Sequence, residues 1–563
     1  MIISSRHIKW IVIFTAVLVL VAIYYPAFAQ SIGRAAAEHR FNDDVRQYIW
    51  PTFVYAGESP FNDDYVTNYF FDLMPIGFKA TYFAVSQFIH PRIFSKILPY
   101  ILLCLTLLVS CMSSYRLAGP FAAFATLILG LSGSEYILDL TAGGLPRSFK
   151  FLPLSMVIYA LITQRPYWIA FVTVISASFY PPVAILSGVV LTLYLLFPSK
   201  FGGLESALPT QQRLLIIAIA AIVSITILVP NLMALTGYGT KINIYNTEQI
   251  ERFPERLDRQ PINLTSRKVS LESVGEQSYK SLKKAFQGSE KNMYLKYFSS
   301  KSKTRDIVNS VWIFLTLLGA LMLWRTSHAV RRLWVFFFAT YSCAFLALIL
   351  YPLVYYPSRY LDSSLFLIML VVIPAAAGAI FSFIYTSLGW HVKRKLQAEM
   401  LLSVLLLVLL YGNKGPSESG LLVRIDGKDK PLYQFVRTLP TDVVIAGWPS
   451  DGEMKNIPYY TNRKVLLNRE IHLCFHEDYA LEMRHRWELL VSSYFTPDTE
   501  STQRMVKEYG VSHLLIKKAY MQGQKTPHYF AAFEQDIKQY QQNIELSGTH
   551  IVFENAKYYI LQL

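Results

Sequence analysis

Two short acidic stretches near the start of the chain are the first residues whose types and spacing suggest chemistry. FNDDVRQYIWP (41–51) and FNDDYVTNYFFD (61–72) each carry an Asn-Asp-Asp run. Adjacent carboxylates repel, so one of each pair should titrate above the usual range unless a cation compensates. A carboxylate tuned in that way suits a general base acting on a hydroxyl or amine, or a ligand to a divalent ion. The same run is also ordinary turn and helix-cap chemistry, because both pairs stand where a helix could start. Further along, Glu135 and Asp139 precede TAGGLPRSFKF, which holds Arg147 after a Gly-Gly-x-Pro turn, and YYPSRYLDSS holds Arg359. A guanidinium is suited to phosphate, since its planar fork donates two hydrogen bonds to an oxyanion and stays charged. Interfacial snorkelling beside Tyr and Pro is the plainer account of the same arginines.

The elements that must position these residues are mostly apolar. The 563-residue chain is 53% hydrophobic and only 16% charged, against about 25% charged in ordinary soluble domains. Windows such as IKWIVIFTAVLVLVAIYY (8–25) and LLIIAIAAIVSITILV (214–229) approach the roughly 20 residues that cross a hydrocarbon core. The predicted spans are 8–28, 95–112, 117–133, 149–163, 166–180, 181–198, 213–236, 307–324, 333–353, 363–386 and 397–412. The expected fold class is thus an α-helical polytopic membrane protein of about eleven transmembrane helices, with a C-terminal extracytoplasmic α/β domain.

The net charge of +15 would point to nucleic acid in a soluble protein, but here the basic residues fall in short loops between apolar runs. One side carries Arg6, Lys9, Arg116, Arg165, Lys200, Arg213, Arg325, Arg331, Arg332, Lys393, Arg394 and Lys395, and the other Arg147, Lys150 and Arg359. The positive-inside rule then makes the N-terminus cytoplasmic and an odd number of spans puts the tail outside. The expected location is a bacterial inner (plasma) membrane. Pro26-Ala27-Phe28-Ala29-Gln30 has a small-x-small ending compatible with signal-peptidase cleavage, although the apolar run before it is longer than a usual signal core.

Three outward segments are large enough to build a site: a first external loop (29–94), a polar lid-like loop (237–306) and the tail (413–563), with residues 1–412 forming the transmembrane domain. The tail alternates helix and strand signals. Helices are expected at 433–439 and 479–492, with a further one capped by Thr496 or Asp498, and strands at 442–447, 464–468, 512–517, 550–555 and 558–563. Such alternation argues a small α/β domain. No Walker motif or glycine-rich dinucleotide fingerprint is present.

A first span followed by a large external loop with an early acidic pair, many further spans and an external α/β tail resembles the GT-C superfamily of polyprenyl-phosphate-dependent glycosyltransferases. That superfamily includes oligosaccharyltransferases, protein mannosyltransferases and aminoarabinose transferases. The resemblance implies an external-loop aspartate as catalytic base, at Asp43 or Asp44. It implies a further acid, for which Asp63, Asp64, Glu135 and Asp139 are candidates, the last two as ligands of a divalent cation, Mg or Mn. It implies basic residues that hold the donor phosphate, a role for Arg147 and Arg359. The implied partners are a polyprenyl-phosphate-linked sugar, membrane lipid, and an acceptor glycan, lipid or protein, with no nucleic acid. The oligosaccharyltransferase WWDYG signature is absent, and the second loop has no DxD. The expectation is one composite outer site performing an inverting displacement.

Several other signals accompany these. Tyr48, Tyr65 and Tyr69 are candidates to stack on sugars. His472-Leu473-Cys474-Phe475-His476 has alternate residues that could ligate zinc, although a structural site wants four ligands. Asn263-Leu264-Thr265 is a glycosylation sequon. A transporter or flippase of lipid-linked intermediates is the alternative from another class, but transporters place charge near the midplane and show matched halves. An O-antigen ligase or polymerase type of enzyme would share the donor without the acidic-pair loop.

Overall fold

The computed structural model describes residues 24–57, 60–198, 208–243, 246–258, 327–349, 358–388, 423–425, 427–497, 499–541 and 550–563. The expected spans 307–324 and 397–412, most of 8–28, the 259–306 part of the lid, the sequon at Asn263 and the cap at Asp498 lie outside these residues. The chain divides into two compact units, one of residues 1–38, 96–228 and 269–421, the other of residues 39–95, 229–268 and 422–563.

The first unit is built of apolar helices. Among the described residues, four helices are long and apolar enough to cross a membrane: Pro91–Ser132, Thr210–Tyr238, His328–Ala347 and Arg359–Ser387, with Pro166–Phe179 and Pro181–Leu196 as shorter apolar helices. Thr210–Leu235 leaves Leu214, Leu215, Ile219, Ile222 and Ile225 exposed, an apolar face that suits contact with membrane hydrocarbon. This is an integral membrane protein.

The expected separate spans at 95–112 and 117–133 are two helices meeting at a sharp break. Gly119 adopts φ 84°, a left-handed conformation that suits glycine, and Pro120 then opens the next helix, where its missing N–H costs nothing. The two arms fold back on each other: the Thr126 hydroxyl donates to Ser114 Oγ at 2.6 Å, and a Cβ on Gly130 would collide with Leu107. Gly378 of the helix Ser358–Ser387 lets that helix approach Ala118, whose carbonyl would stand 3.1 Å from an added Cβ. Leu154, Ile158, Val190, Phe336 and Leu367 lie in one buried cluster, joining Phe151–Ile162, Pro181–Leu196, His328–Ile349 and Ser358–Ser387.

The second unit is a mixed α/β structure. Strands β1 (Arg40–Phe41) and β2 (Val423–Arg424) form an antiparallel pair. Strands β3 (Val444–Gly447), β4 (Lys464–Val465), β5 (Val511–Lys517), β6 (His550–Glu554) and β7 (Tyr558–Gln562) form a sheet of order β4-β3-β5-β7-β6. β3 runs parallel to β4 and β5, while β7 is antiparallel to β5 and β6. Buried Trp448, Trp487, Tyr494 and Tyr529 pack beside the sheet between β3 and the helix Glu477–Phe495. The helix Glu500–Tyr509 is capped by Thr499, which accepts from the Thr502 amide, rather than by Thr496, which instead ends the preceding helix.

This unit gathers residues 39–95, the start of the middle segment and the tail. Phe41 packs on Tyr459 at 4.8 Å, and Tyr69 stacks on Tyr479 at 3.6 Å. Segment 240–242 pairs with the backbone of 475–477: the Ile242 amide donates to Phe475 O at 2.9 Å and the Glu477 amide to Thr240 O at 3.0 Å. Gly239 makes this approach possible, because it sits at φ 85° and a Cβ there would meet the Asp478 amide nitrogen at 2.7 Å.

Candidate functional site

The polar unit holds both Asn-Asp-Asp runs, and they do different things. At the second, Asp64 is a helix cap: its carboxylate accepts from the Thr67 amide and hydroxyl, each at 2.9 Å, and starts the helix Tyr65–Leu73. Asp63 is exposed in the left-handed region at φ 55°. At the first, Asp44 precedes the short helix Val45–Tyr48 without making a side-chain cap. Buried Asn42 takes the turn role instead, accepting from the Asp44 amide at 3.0 Å.

Asp43 is half-buried, and its carboxyl is pushed above the ordinary carboxylate range. Burial is the main cause; the adjacent Asp44 carboxylate adds to it, the Arg46 guanidinium opposes it and Glu470 adds a smaller push upward. The repulsion expected from the sequence is thus present but secondary to desolvation. The surroundings are fixed: Arg46 donates from Nε to the Asp43 carbonyl at 2.9 Å and pairs with Glu470 at 3.1 Å, and Gln47 donates to the other Glu470 oxygen at 2.7 Å. A carboxyl held so that its proton binds more tightly is a stronger base than a free aspartate.

Of the tyrosines proposed to stack on sugars, Tyr69 is fully buried, its hydroxyl bonded to His476 Nδ1 at 3.0 Å. It is therefore a core residue and not a sugar platform. Tyr65 stacks on Tyr479 at 5.8 Å, and half-buried Tyr48 meets Phe70 edge-on at 6.4 Å.

In the apolar unit the GGLPR turn places a second set of charges. Gly143 at φ 85° and Gly144 at φ 61° reverse the chain after the helix Ser134–Thr141, and Ser148 ties the turn by donating to the Thr141 carbonyl at 2.7 Å. Arg147 and Lys150 belong to the 3-10 helix Pro146–Lys150. Lys150 is buried, its ammonium 5.1 Å from the centre of the Phe151 ring, and its charge interacts with the Asp362 carboxylate and with the Arg147 and Arg359 guanidiniums. Arg359 donates to the Tyr180 hydroxyl at 3.3 Å. Arg147 and Arg359, far apart in sequence, therefore act on one buried lysine. Lys150 and Asp362 are the members that sequence reasoning passed over. Glu135 and Asp139 stand one turn apart on Ser134–Thr141. The group of three metal-donor side chains found among the described residues lies elsewhere, at Glu255, His472 and Cys474 in the polar unit.

The chain matches no protein-family model and no curated protein. Among solved structures it is similar to ArnT from Cupriavidus metallidurans in the apo state, with 13% identity over 99% of this chain and 98% of that one, at a TM-score of 0.40. It is also similar to the Archaeoglobus fulgidus oligosaccharyltransferase in complex with zinc and sulfate, with 11% identity over 91% of this chain and 68% of that one, at a TM-score of 0.39.

Proposed function

We propose that this chain is a membrane glycosyltransferase that moves a sugar from a polyprenyl-phosphate donor to an acceptor on the extracytoplasmic face, with Asp43 as the base. The observation that carries the reading is the setting of Asp43: a half-buried carboxyl with a raised pKa, beside an arginine already committed to Glu470. The grouping of half-buried Arg147 and Arg359 with buried Lys150 supports the donor class, because cations among apolar helices suit an anion carried on a lipid tail.

In the proposed reaction the acceptor's hydroxyl or amine gives its proton to Asp43 as its lone pair attacks the anomeric carbon. The bond from that carbon to the phosphate oxygen breaks, and the polyprenyl phosphate leaves with the electron pair. Arg147 and Arg359, whose charges also act on Lys150, would offset the charge that grows on the leaving oxygen. One displacement inverts the anomeric configuration. Asp44 is the second candidate for the base, and Glu135 and Asp139 are the positions at which a divalent ion, Mg or Mn, would act. Asp63 is accessible to the acceptor, whereas Asp64 serves the fold.

The test is a transfer assay in detergent with polyprenyl-phosphate sugars, comparing the wild-type chain with Asp43→Asn and Asp44→Asn. Loss of transfer in a folded Asp43→Asn chain is the expected result. Normal turnover in both variants removes the proposed base. Movement of intact lipid-linked sugar across a vesicle bilayer without any transfer would favour the transporter reading instead.

A further inference from the structure

The interior of the polar unit brings a carboxylate, an imidazole and a thiol together. Glu255, His472 and Cys474 are all buried, and one donor atom from each lies within 4.8 Å of the others. Glu255 opens the short helix Glu255–Asp258, while His472 and Cys474 alternate along the connection from β4 to the helix Glu477–Phe495. We propose that these three side chains form a zinc site that fastens the 240–258 segment to the tail.

The donor set selects the ion. A thiolate is soft, an imidazole borderline and a carboxylate hard, a mixture that zinc accepts and that magnesium or calcium, which prefer oxygen alone, does not. The Cys474 thiolate and the Glu255 carboxylate would both face the divalent ion with the imidazole neutral, the carboxylate sharing its charge with the Arg484 guanidinium.

The residues behind the donors support the assignment. The Tyr529 hydroxyl shares a hydrogen bond with His472 Nδ1, which leaves Nε2 as the metal-binding nitrogen. Both Glu255 oxygens accept from Arg484, at 2.7 and 2.6 Å, which fixes the carboxylate while each oxygen keeps a further lone pair. Outer hydrogen bonds of this kind orient the ligands of metal sites. Three protein donors leave the fourth tetrahedral position to water, so the site departs from the closed four-ligand arrangement of most structural zinc sites. The backbone bonds between 240–242 and 475–477 already hold the two segments side by side, so a metal ion would lock an existing contact.

The site is independent of the transfer reaction, and its failure leaves the reading of Asp43 untouched. The full chain, purified in detergent without added metal, should contain zinc in equimolar ratio by elemental analysis. Chelation should remove it and lower the Tm, and added zinc should restore both. Cobalt refilling of the stripped protein should give a thiolate-to-cobalt charge-transfer band that disappears in Cys474→Ala and persists in Cys343→Ala. Wild-type chain with no zinc above background even after incubation with the ion, or a cobalt spectrum unchanged by Cys474→Ala, overturns the proposal. Because the first of these is read on the wild-type chain, a variant that fails to fold does not protect it.

Discussion

Asp43→Asn should move activity and stability in opposite directions. The substitution is nearly isosteric and leaves the backbone carbonyl that accepts from Arg46. Loss of a positioned general base lowers a rate by about 10²–10⁴-fold, roughly 2.7–5.4 kcal/mol of transition-state stabilisation. Stability follows from the raised pKa. The folded chain binds the Asp43 proton more tightly than the unfolded chain does, so ionisation at neutral pH works against the fold. That loss develops as pH rises from the ordinary carboxylate pKa through the raised one, and it is complete above both. Asparagine carries no charge, so the variant's Tm at neutral pH should exceed that of the wild type. The gap should close below the ordinary carboxylate range.

The activity profile of the wild type gives a second reading of the same group. With Asp43 as base, kcat/KM rises as its proton is lost, so the acidic limb lies above the usual carboxylate range. Asp44→Asn removes a like charge that pushes Asp43 upward and should move that limb to lower pH while transfer survives. Sugar transfer from a polyprenyl phosphate and thermal denaturation, followed in the same micelles across pH, measure both quantities. An Asp43→Asn chain that turns over normally, or an inactive one whose Tm has fallen, refutes the reasoning. Abolition of transfer by Asp44→Asn with an intact fold would hand the role to its neighbour.

Arg359→Ala should raise KM for the donor about tenfold or more with little effect on the acceptor, in line with roughly 1.5–3 kcal/mol for a charged hydrogen bond; unchanged donor affinity by titration would rule out the phosphate role. Arg46→Ala takes the guanidinium from a mostly buried Glu470 and leaves it the Gln47 hydrogen bond, and breaking a fully buried pair costs about 3–5 kcal/mol, which sets an upper limit here. A clear fall in Tm is therefore expected, and an unchanged Tm would mean that the pair carries no structural weight. Glu453, raised by burial first and by Asp451 next, accepts from the Tyr558 hydroxyl at 2.7 Å. Glu453→Gln keeps an acceptor for that hydroxyl and removes the buried charge, so Tm at neutral pH should rise and the difference should vanish in acid; a variant less stable at neutral pH contradicts this.

The sequence was most legible where structure is set locally. The apolar run at 363–386 emerges as the helix Ser358–Ser387, and the tail segments 442–447, 512–517 and 558–563 overlap the strands Val444–Gly447, Val511–Lys517 and Tyr558–Gln562. Period and composition suffice for such elements. Partner choice is not local. Nothing along the chain announces that β3 lies between β4 and β5, or that segment 240–242 pairs beside Phe475. Lys150 was visible as a basic residue on the side of Arg147 and Arg359, but its place in a site was not, because Arg359 and Asp362, whose charges act on it, come from another helix.

Tyr69 was legible in principle. Val66, Tyr69 and Phe70 recur at helical spacing and are all buried, so the period that assigns a helix also assigns its inner face. The two FNDD runs make the sharper case, because four identical residues reach different ends. After the second comes Tyr65-Val66-Thr67, and Thr67 presents an amide and a hydroxyl to Asp64, which is thereby occupied as a cap. After the first comes Val45-Arg46-Gln47; the helix there is one short turn, Asn42 takes the local hydrogen bond, and Arg46 and Gln47 both turn to Glu470. The Asp64 carboxylate is occupied by the Thr67 amide and hydroxyl, whereas Asp43 has burial and two like charges acting on it. Asp44 makes no side-chain cap bond while Asp64 does, so the residues that follow each run set what its aspartates do, and the proposed base belongs to the run whose cap role is unused.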